Sequence, residues 1–447
     1  MPARRGVARR STSRRRIYRV RTKWSPPTIA RRFKVMHPEM IPRLKKELDL
    51  SVGLETPIMD DLTIKGVPQN QWQYYIAFSK RMLKLYEVFS GATLQDEKQS
   101  LINEYVARGF DLAILQQQQD VVEEYLGIVP PVLYCGIGNS AGSWYAKIGL
   151  DTFTTDAYQN DLARFLPNSM AIDKAGHYLY VGQDEVAAGS IVKIRLSDFT
   201  EVATLTLNAG ENMLHDVCIA GNYLYAILGK SPSVIVKVNL TTFTRVGSLT
   251  LNPGENLARG CCVHGNFLYV TLRMAWIATI GRIAKINLTT FTRDSVLTLA
   301  AGDLTPSKIA YHDGYLYVAC AKSPTRVVKV NVATFTRTAG LDFLAGENMG
   351  YSVEVVEDNL YVGLLLSPGR IVEVDLTNFT RVRFCTFLAG ENEVYDMAYK
   401  EGHLYAAMGA TIPSTVVKVD RDNMVRVAAL SPVVAGRHYA QSLATKL

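Results

Sequence analysis

One repeat unit recurs along most of this chain, and no other feature narrows its fold as much. A full copy reads GNYLYAILGKSPSVIVKVNLTTFTRVGSLTLNPGEN over residues 221–256. Its marker aromatic returns at Phe153, Phe199, Phe243, Phe291, Phe335 and Phe379, with Met424 in its place in the last copy, at intervals of 46, 44, 48, 44, 44 and 45 residues. A repeat of this length buries its apolar face against neighbouring copies, so the array has to be recognised before any segment is read by itself.

Each unit carries four short β-type segments: Val217–Ile219, Leu224-Tyr225, Val236–Val238 and the run from Val246 to Leu251. Four antiparallel strands in a repeat this short make one twisted propeller blade, and radial repetition protects the sheet edges that an open array would leave bare. The first copy begins at Leu133-Tyr134 without its inner strand, whereas residues 436–445 align on 210–219 and supply one after the last copy. The end of the chain therefore completes the first blade. The sequence predicts a mainly β fold, a seven-bladed β-propeller of four-stranded blades closed by the C-terminal strand.

These repeats resemble the Tyr-Val-Thr-Asn class of β-propellers, related in architecture to WD40 proteins but without their GH and WD signatures. The resemblance spans residues 131–447. It implies the fold strongly and leaves function open, because the scaffold serves enzymes, binding modules and surface structures alike.

The first 130 residues match no such pattern and divide by charge. The net charge of +8 conceals a split: residues 1–38 hold 13 Lys or Arg and no acid, which leaves 49 − 13 = 36 bases against 41 acids elsewhere. Arg4, Arg5, Arg9, Arg10, Arg14, Arg15, Arg16, Arg19 and Arg21 are the densest part. So many like charges predict a basic arm, disordered until it meets nucleic acid, another polyanion or an acidic protein surface. No apolar stretch follows the arginines to make a secretory signal, and no run reaches the ~20 residues of a membrane-spanning helix. The chain reads as a protein of a virion or the cytoplasm, not classically secreted and without a membrane.

Residues 39–69 have scattered prolines and no period, and read as an extended arm. Residues 70–130 read as a small α-helical unit. Trp72, Ile76, Met82, Leu83, Tyr86 and Phe89 mark a first helix. Leu101, Ile102, Tyr105 and Val106 mark a second, running from about Leu94 to Arg108 with Gly109 after its end. Asp111 is placed to cap a third, striped by Leu112, Leu115, Val122, Tyr125 and Leu126.

Six cysteines, Cys135, Cys218, Cys261, Cys262, Cys320 and Cys385, have apolar surroundings and no CxxC spacing. They read as buried hydrophobes in a reducing compartment, not as a disulfide frame or a metal site.

Chemistry in such a ring belongs at the channel mouth. The loop into each inner strand carries Glu211-Asn212, Glu255-Asn256, Asp303, Glu347-Asn348 and Glu391-Asn392. A carboxylate ring can bind calcium, but a residue repeated in nearly every blade is better explained by a bond it makes inside each blade. The start of the inner strand is where blades differ: Asn168-Ser169, His215-Asp216, Arg259-Gly260, Ser307-Lys308, Tyr351-Ser352, Tyr395-Asp396 and Gln441-Ser442. Of these, His215, Asp216, Arg259, Lys308, Tyr351, Tyr395, Asp396 and Gln441 are the candidate ligand-facing residues. His215 beside Asp216 has the composition of a base and its orienter, with Arg259 or Lys308 as electrophile. A polar lining is the plainer account, and neither a catalytic set nor a metal or cofactor site is assigned. His177, His264, His312 and His403 read as exposed turn residues, and the Thr-Phe-Thr loop as tucking its ring between blades. The sequons at Asn239, Asn287 and Asn378 read as by-products of the repeat.

The expectation from sequence is a non-enzymatic structural or interaction protein, its propeller displayed and its basic arm anchored to subunits of a larger assembly such as a virion. A propeller enzyme of lactonase or lyase type and a WD40-like adaptor are the alternatives.

Overall fold

The computed structural model describes residues 67–88, 91–112, 131–139, 142–150, 152–161, 166–173, 177–273, 280–432 and 439–445, with isolated residues between 58 and 122. The basic arm lies outside the described residues, as do Tyr125, Leu126 and residues 433–438. Seven four-stranded antiparallel sheets follow in order, one for each expected blade. In blades two to seven the four strands are consecutive in sequence. Blade one takes strands Val132–Asn139, Gly142–Gly149 and Thr154–Asp161 from the start of the domain, and its inner strand Tyr439–Thr445 from the end. There Leu133 pairs with Thr445, Cys135 with Leu443 and Gly138 with Tyr439.

The marker aromatic explains how the blades lock. Phe153, Phe199, Phe243, Phe291, Phe335, Phe379 and Met424 all sit in a turn with φ between +49° and +53°. Holding a side chain there costs roughly 1–2 kcal/mol. Each Phe ring in turn packs on a tyrosine of the neighbouring blade at 5.8–6.1 Å between centroids, as Phe243 does on Tyr180 and Phe153 on Tyr405. Met424 packs in the same core cluster as Tyr361. Phe199 is buried and the other five rings are half-buried; covering that surface is worth on the order of 1–2 kcal/mol per ring and offsets the backbone cost.

The repeated carboxylates make a second lock. Glu211, in the loop from blade two to blade three, caps its own turn at the Asn208 amide (3.0 Å) and takes two hydrogen bonds from Arg245 on the outer strand of blade three (2.6 and 3.0 Å). Glu255 with Arg293, Asp303 with Arg337, Glu347 with Arg381 and Glu391 with Arg426 repeat the arrangement. The carboxylates are consumed by these clamps, as the repetition led us to expect.

Two readings from sequence are corrected here. Cys218 and Cys261, on the adjacent inner strands of blades three and four, are joined in a disulfide; Cys135, Cys262, Cys320 and Cys385 remain free. Sequence spacing could not show that these two positions face each other between neighbouring blades. His177 is buried and its amide donates to Asp173 at 2.8 Å. His264, His312 and His403 are half-buried, with His264 stacked on Tyr311 at 3.6 Å.

The N-terminal helices are α1 (Trp72–Val88) and α2 (Gly91–Ala107), joined by Arg81 to Glu104 at 2.7 and 2.8 Å. Gly109 takes φ +87° after α2, and the Asp111 carboxylate accepts the Ile114 amide at 3.1 Å as a helix cap does. Phe78, Met82, Leu101, Ile102, Tyr105, Leu115 and Val122 share one core, while Val106 and Leu112 are exposed. The side chains of Tyr86 and Phe89 lie outside the described residues. Ile58, Met59 and Leu62 are helical, and Ile58 and Leu62 are fully buried in that same core, so at these residues the extended-arm reading does not hold. The apolar side chains of Ile58 and Leu62 share that core with residues of α1 and α2. Among the described residues no helix is long and apolar enough to cross a membrane.

Candidate functional site at the channel mouth

Every inner strand carries a bulge near its start. The pairing register slips at Pro167/Ser169, Leu214/Asp216, Gly350/Ser352, Val394/Asp396 and Gly136/Ile137, and in the two remaining blades between Ala258 and Cys261 and between Pro306 and Ile309. A bulge re-aims the extra side chain away from the regular pleat. The extra residues include Asn168, His215, Tyr351, Tyr395 and Gln441, which are the positions where the blades differ.

They open on a cavity of about 860 Å³. His215, Arg259, Lys308, Tyr351, Tyr395 and Gln441 line it, as do Asn168, Asp184, Glu393 and Tyr439. Asp216 and Asp396, each the residue after the bulge, are not among the side chains that line it. Asp184 and Glu393 were not among the sequence candidates. Arg273 is not among the lining side chains; it lies next to the start of the blade-five inner strand, bonding the Pro306 carbonyl (3.3 Å) and Ser307 Oγ (3.0 Å).

The expected pairing of His215 with Asp216 is not made. Asp216 Oδ1 accepts from Ser169 Oγ (2.6 Å) and Lys308 Nζ (2.7 Å), and Oδ2 from the Cys261 amide (2.8 Å). One carboxylate thus ties blades two, three, four and five. The His215 ring lies instead over Gly229, where a Cβ would stand 2.3 Å from its Cδ2, and its Nδ1 faces Arg259 Nη1 at 3.4 Å. Tyr395 lies over Gly409 in the same manner: a Cβ there would be 1.8 Å from the ring. Tyr351 and Tyr395 stand 5.3 Å apart at an angle of 47°.

Burial, with Arg259, Lys308 and Arg273 nearby, pushes the His215 imidazole down to about 3, so it is neutral near pH 7. Burial and then Arg259 lower Arg273 to about 10. Burial raises Asp184, which accepts the Met213 amide at 2.8 Å. Below the mouth, burial pushes Asp396 up to about 6 against the pull of Lys308, and burial with Asp396 pushes Glu354 up to about 8. For Lys308 burial opposes the charge, but Asp216 and Asp396 outweigh it and its pKa is raised. Among the described residues no group of three or more His, Cys, Asp or Glu is arranged to hold a metal ion.

No protein-family model and no curated protein matches the chain. Similarity to solved structures is extensive at the level of fold. A putative 6-phosphogluconolactonase from Bacteroides fragilis superposes with a TM-score of 0.54 at 12% identity, over 71% of this chain and 98% of that one. Kuenenia stuttgartiensis hydrazine synthase gives 0.50 at 12% identity over 63% and 93%. The WD40 domain of Pan2 from Neurospora crassa gives 0.45 at 11% over 58% and 78%. At such identities the likeness is one of architecture, and the chain is a seven-bladed β-propeller.

Proposed function

We propose that this chain is a non-enzymatic recognition protein, with the channel mouth as its recognition surface and the N-terminal arm as its attachment to a larger assembly. The observation that carries the reading is the state of the mouth's acid–base groups. Asp216 is spent on three donors from three other blades, and His215 is a weak base turned toward Arg259. A base with its orienter elsewhere and its pKa near 3 has little power to take a proton at neutral pH. What remains is a rigid, polar concavity.

Attachment rests on charge. Thirteen bases and no acid lie within residues 1–38, against a slight acidic excess over the rest of the chain. An arm of that composition gains by neutralising phosphates or an acidic subunit surface. A basic arm followed by a displayed domain suits a virus or phage particle. Deleting residues 1–38 tests this: the propeller is expected to stay folded while co-sedimentation with nucleic acid or with the particle is lost, and native binding should weaken steeply with added salt. Equal recovery of both forms would remove the assembly role and favour a soluble adaptor.

An enzyme reading draws on the 860 Å³ cavity and the likeness to the putative lactonase. Turnover of a lactone or ester by the native chain, lost when Lys308 or Asp396 is replaced, would establish it in place of ours.

A further inference from the structure

The two sides of the mouth differ in chemistry. Blades six, seven and one supply Tyr351, Tyr395, Tyr439 and the Gln441 amide, whereas blades three, four and five supply His215, Arg259 and Lys308. Tyr351 and Tyr395 form an angled aromatic wall, and the bare backbone of Gly409 seats the Tyr395 ring. Faces of pyranose rings, with their axial C–H groups, pack on such aromatic surfaces, whose faces carry negative charge. On the other side neutral His215 offers Nδ1 to Arg259 Nη1 at 3.4 Å, which fixes the guanidinium. Arg273 is fixed by Pro306 and Ser307. Guanidinium forks match a carboxylate in geometry as well as charge. Asp184 of blade two and Glu393, just before the inner strand of blade seven, add acceptors suited to hydroxyl groups.

We propose that the mouth binds a carboxylated sugar, a uronic acid residue, with its ring against Tyr351 and Tyr395 and its carboxylate toward Arg259. This rests on the recognition reading above and names its ligand. An anion beside Arg259 also offsets the repulsion between that guanidinium and Arg273, since Arg259 is among the causes that depress Arg273. A plain anion would leave the tyrosine wall unused, and a neutral sugar Arg259. His215 is a positioning residue: it acts through Arg259.

The test uses the full native chain with galacturonate, its linear tetramer and glucose as probes, with binding followed by calorimetry and product formation assayed in the same samples. The native chain is expected to prefer galacturonate to glucose by at least about 10-fold, the gain of roughly one charge-assisted hydrogen bond. Tyr395→Ala should weaken galacturonate about 10-fold, and Arg259→Gln should abolish the preference while leaving weak glucose binding. Tighter binding of the tetramer would identify a polymer-borne residue as the source; equal affinity per site would identify the free acid, and both support the ligand class. Equal affinity of the native chain for galacturonate and glucose, or no binding of either, overturns the proposal without any variant having to fold. Acid-selective binding accompanied by turnover supports the ligand class and overturns the non-enzymatic reading instead. His215→Asn, which retains an acceptor, should keep the preference, and His215→Leu should reduce it.

Discussion

Asp216 and Lys308 stand 92 residues apart in sequence and meet at 2.7 Å inside the channel. The pair crosses from blade three to blade five, past blade four, whose Cys261 amide bonds the other oxygen of the same carboxylate. Removing one partner of such a buried pair strands a charge, and typically costs about 3–5 kcal/mol. Asp216→Ala should therefore lower unfolding stability by about 3 kcal/mol or more, and Asp216→Ala with Lys308→Met by much less than the sum of the two single changes. A denaturant double-mutant cycle measures this. Additivity would mean that the pair is not coupled.

Deleting residues 437–447 should strongly destabilise the propeller, because strand Val132–Asn139 loses its partner Tyr439–Thr445 and core residues Ala440 and Leu443 go with it. Thermal melting of the deleted and native chains is the measurement. An unchanged melting temperature would contradict closure through that strand.

The Glu–Arg clamps should be individually valuable. Glu347 accepts the Leu344 amide at 3.1 Å and is held by Arg381 at 2.5 and 2.8 Å. Glu347→Ala removes both the turn cap and the tie to the next outer strand, and should cost about 2–3 kcal/mol by the worth of hydrogen bonds to charged groups. Glu347→Gln, which keeps an acceptor for the amide, should cost less. Chemical denaturation of the two variants distinguishes cap from clamp.

Two channel groups should bend the stability curve in opposite senses. Asp396, held up to about 6 chiefly by burial, keeps a proton that the unfolded chain has already released between about pH 4 and 6 on usual carboxylate values. Its contribution to stability falls as pH rises through that window. His215, pushed down to about 3 chiefly by burial, refuses a proton that the unfolded chain takes up below about 6.5. Its contribution falls as pH drops. Relative to native, Asp396→Asn should gain stability as pH rises from about 4 to 6, on the order of 2–3 kcal/mol, and His215→Asn as pH falls from about 6.5 toward 3, on the order of 4 kcal/mol. Urea melts across roughly pH 3–8 read both signs.

The propeller was legible because its repeat states each strand seven times; the alignment of residues 436–445 on 210–219 even located the closing strand. The mouth was legible only along the inner strand. Comparing blades there picked out His215, Arg259, Tyr351 and Tyr395, but a sequence column does not reveal a bulge. Which of His215 and Asp216, or of Tyr395 and Asp396, is the extra residue of the bulge could not be read from that column. Arg273 and Asp184 follow or end the second strand, five residues after Leu268 and Leu179, in a column where other blades hold Gly229 and Gly409. That column varies as much as the inner-strand one and carried a usable signal. The Cys218–Cys261 bond left none, because nothing local marks which inner-strand positions of neighbouring blades adjoin.

Joining the first and last strands in one blade also sets an order on synthesis. Leu133 to Gly138 emerge from the ribosome hundreds of residues before Tyr439 to Thr445, their partners. Six blades can assemble as they appear, while the oldest one waits with an unpaired inner edge until the last is made. That edge is the natural place for a chaperone to shield, or for a second nascent copy to lend its own strand and produce an entangled dimer.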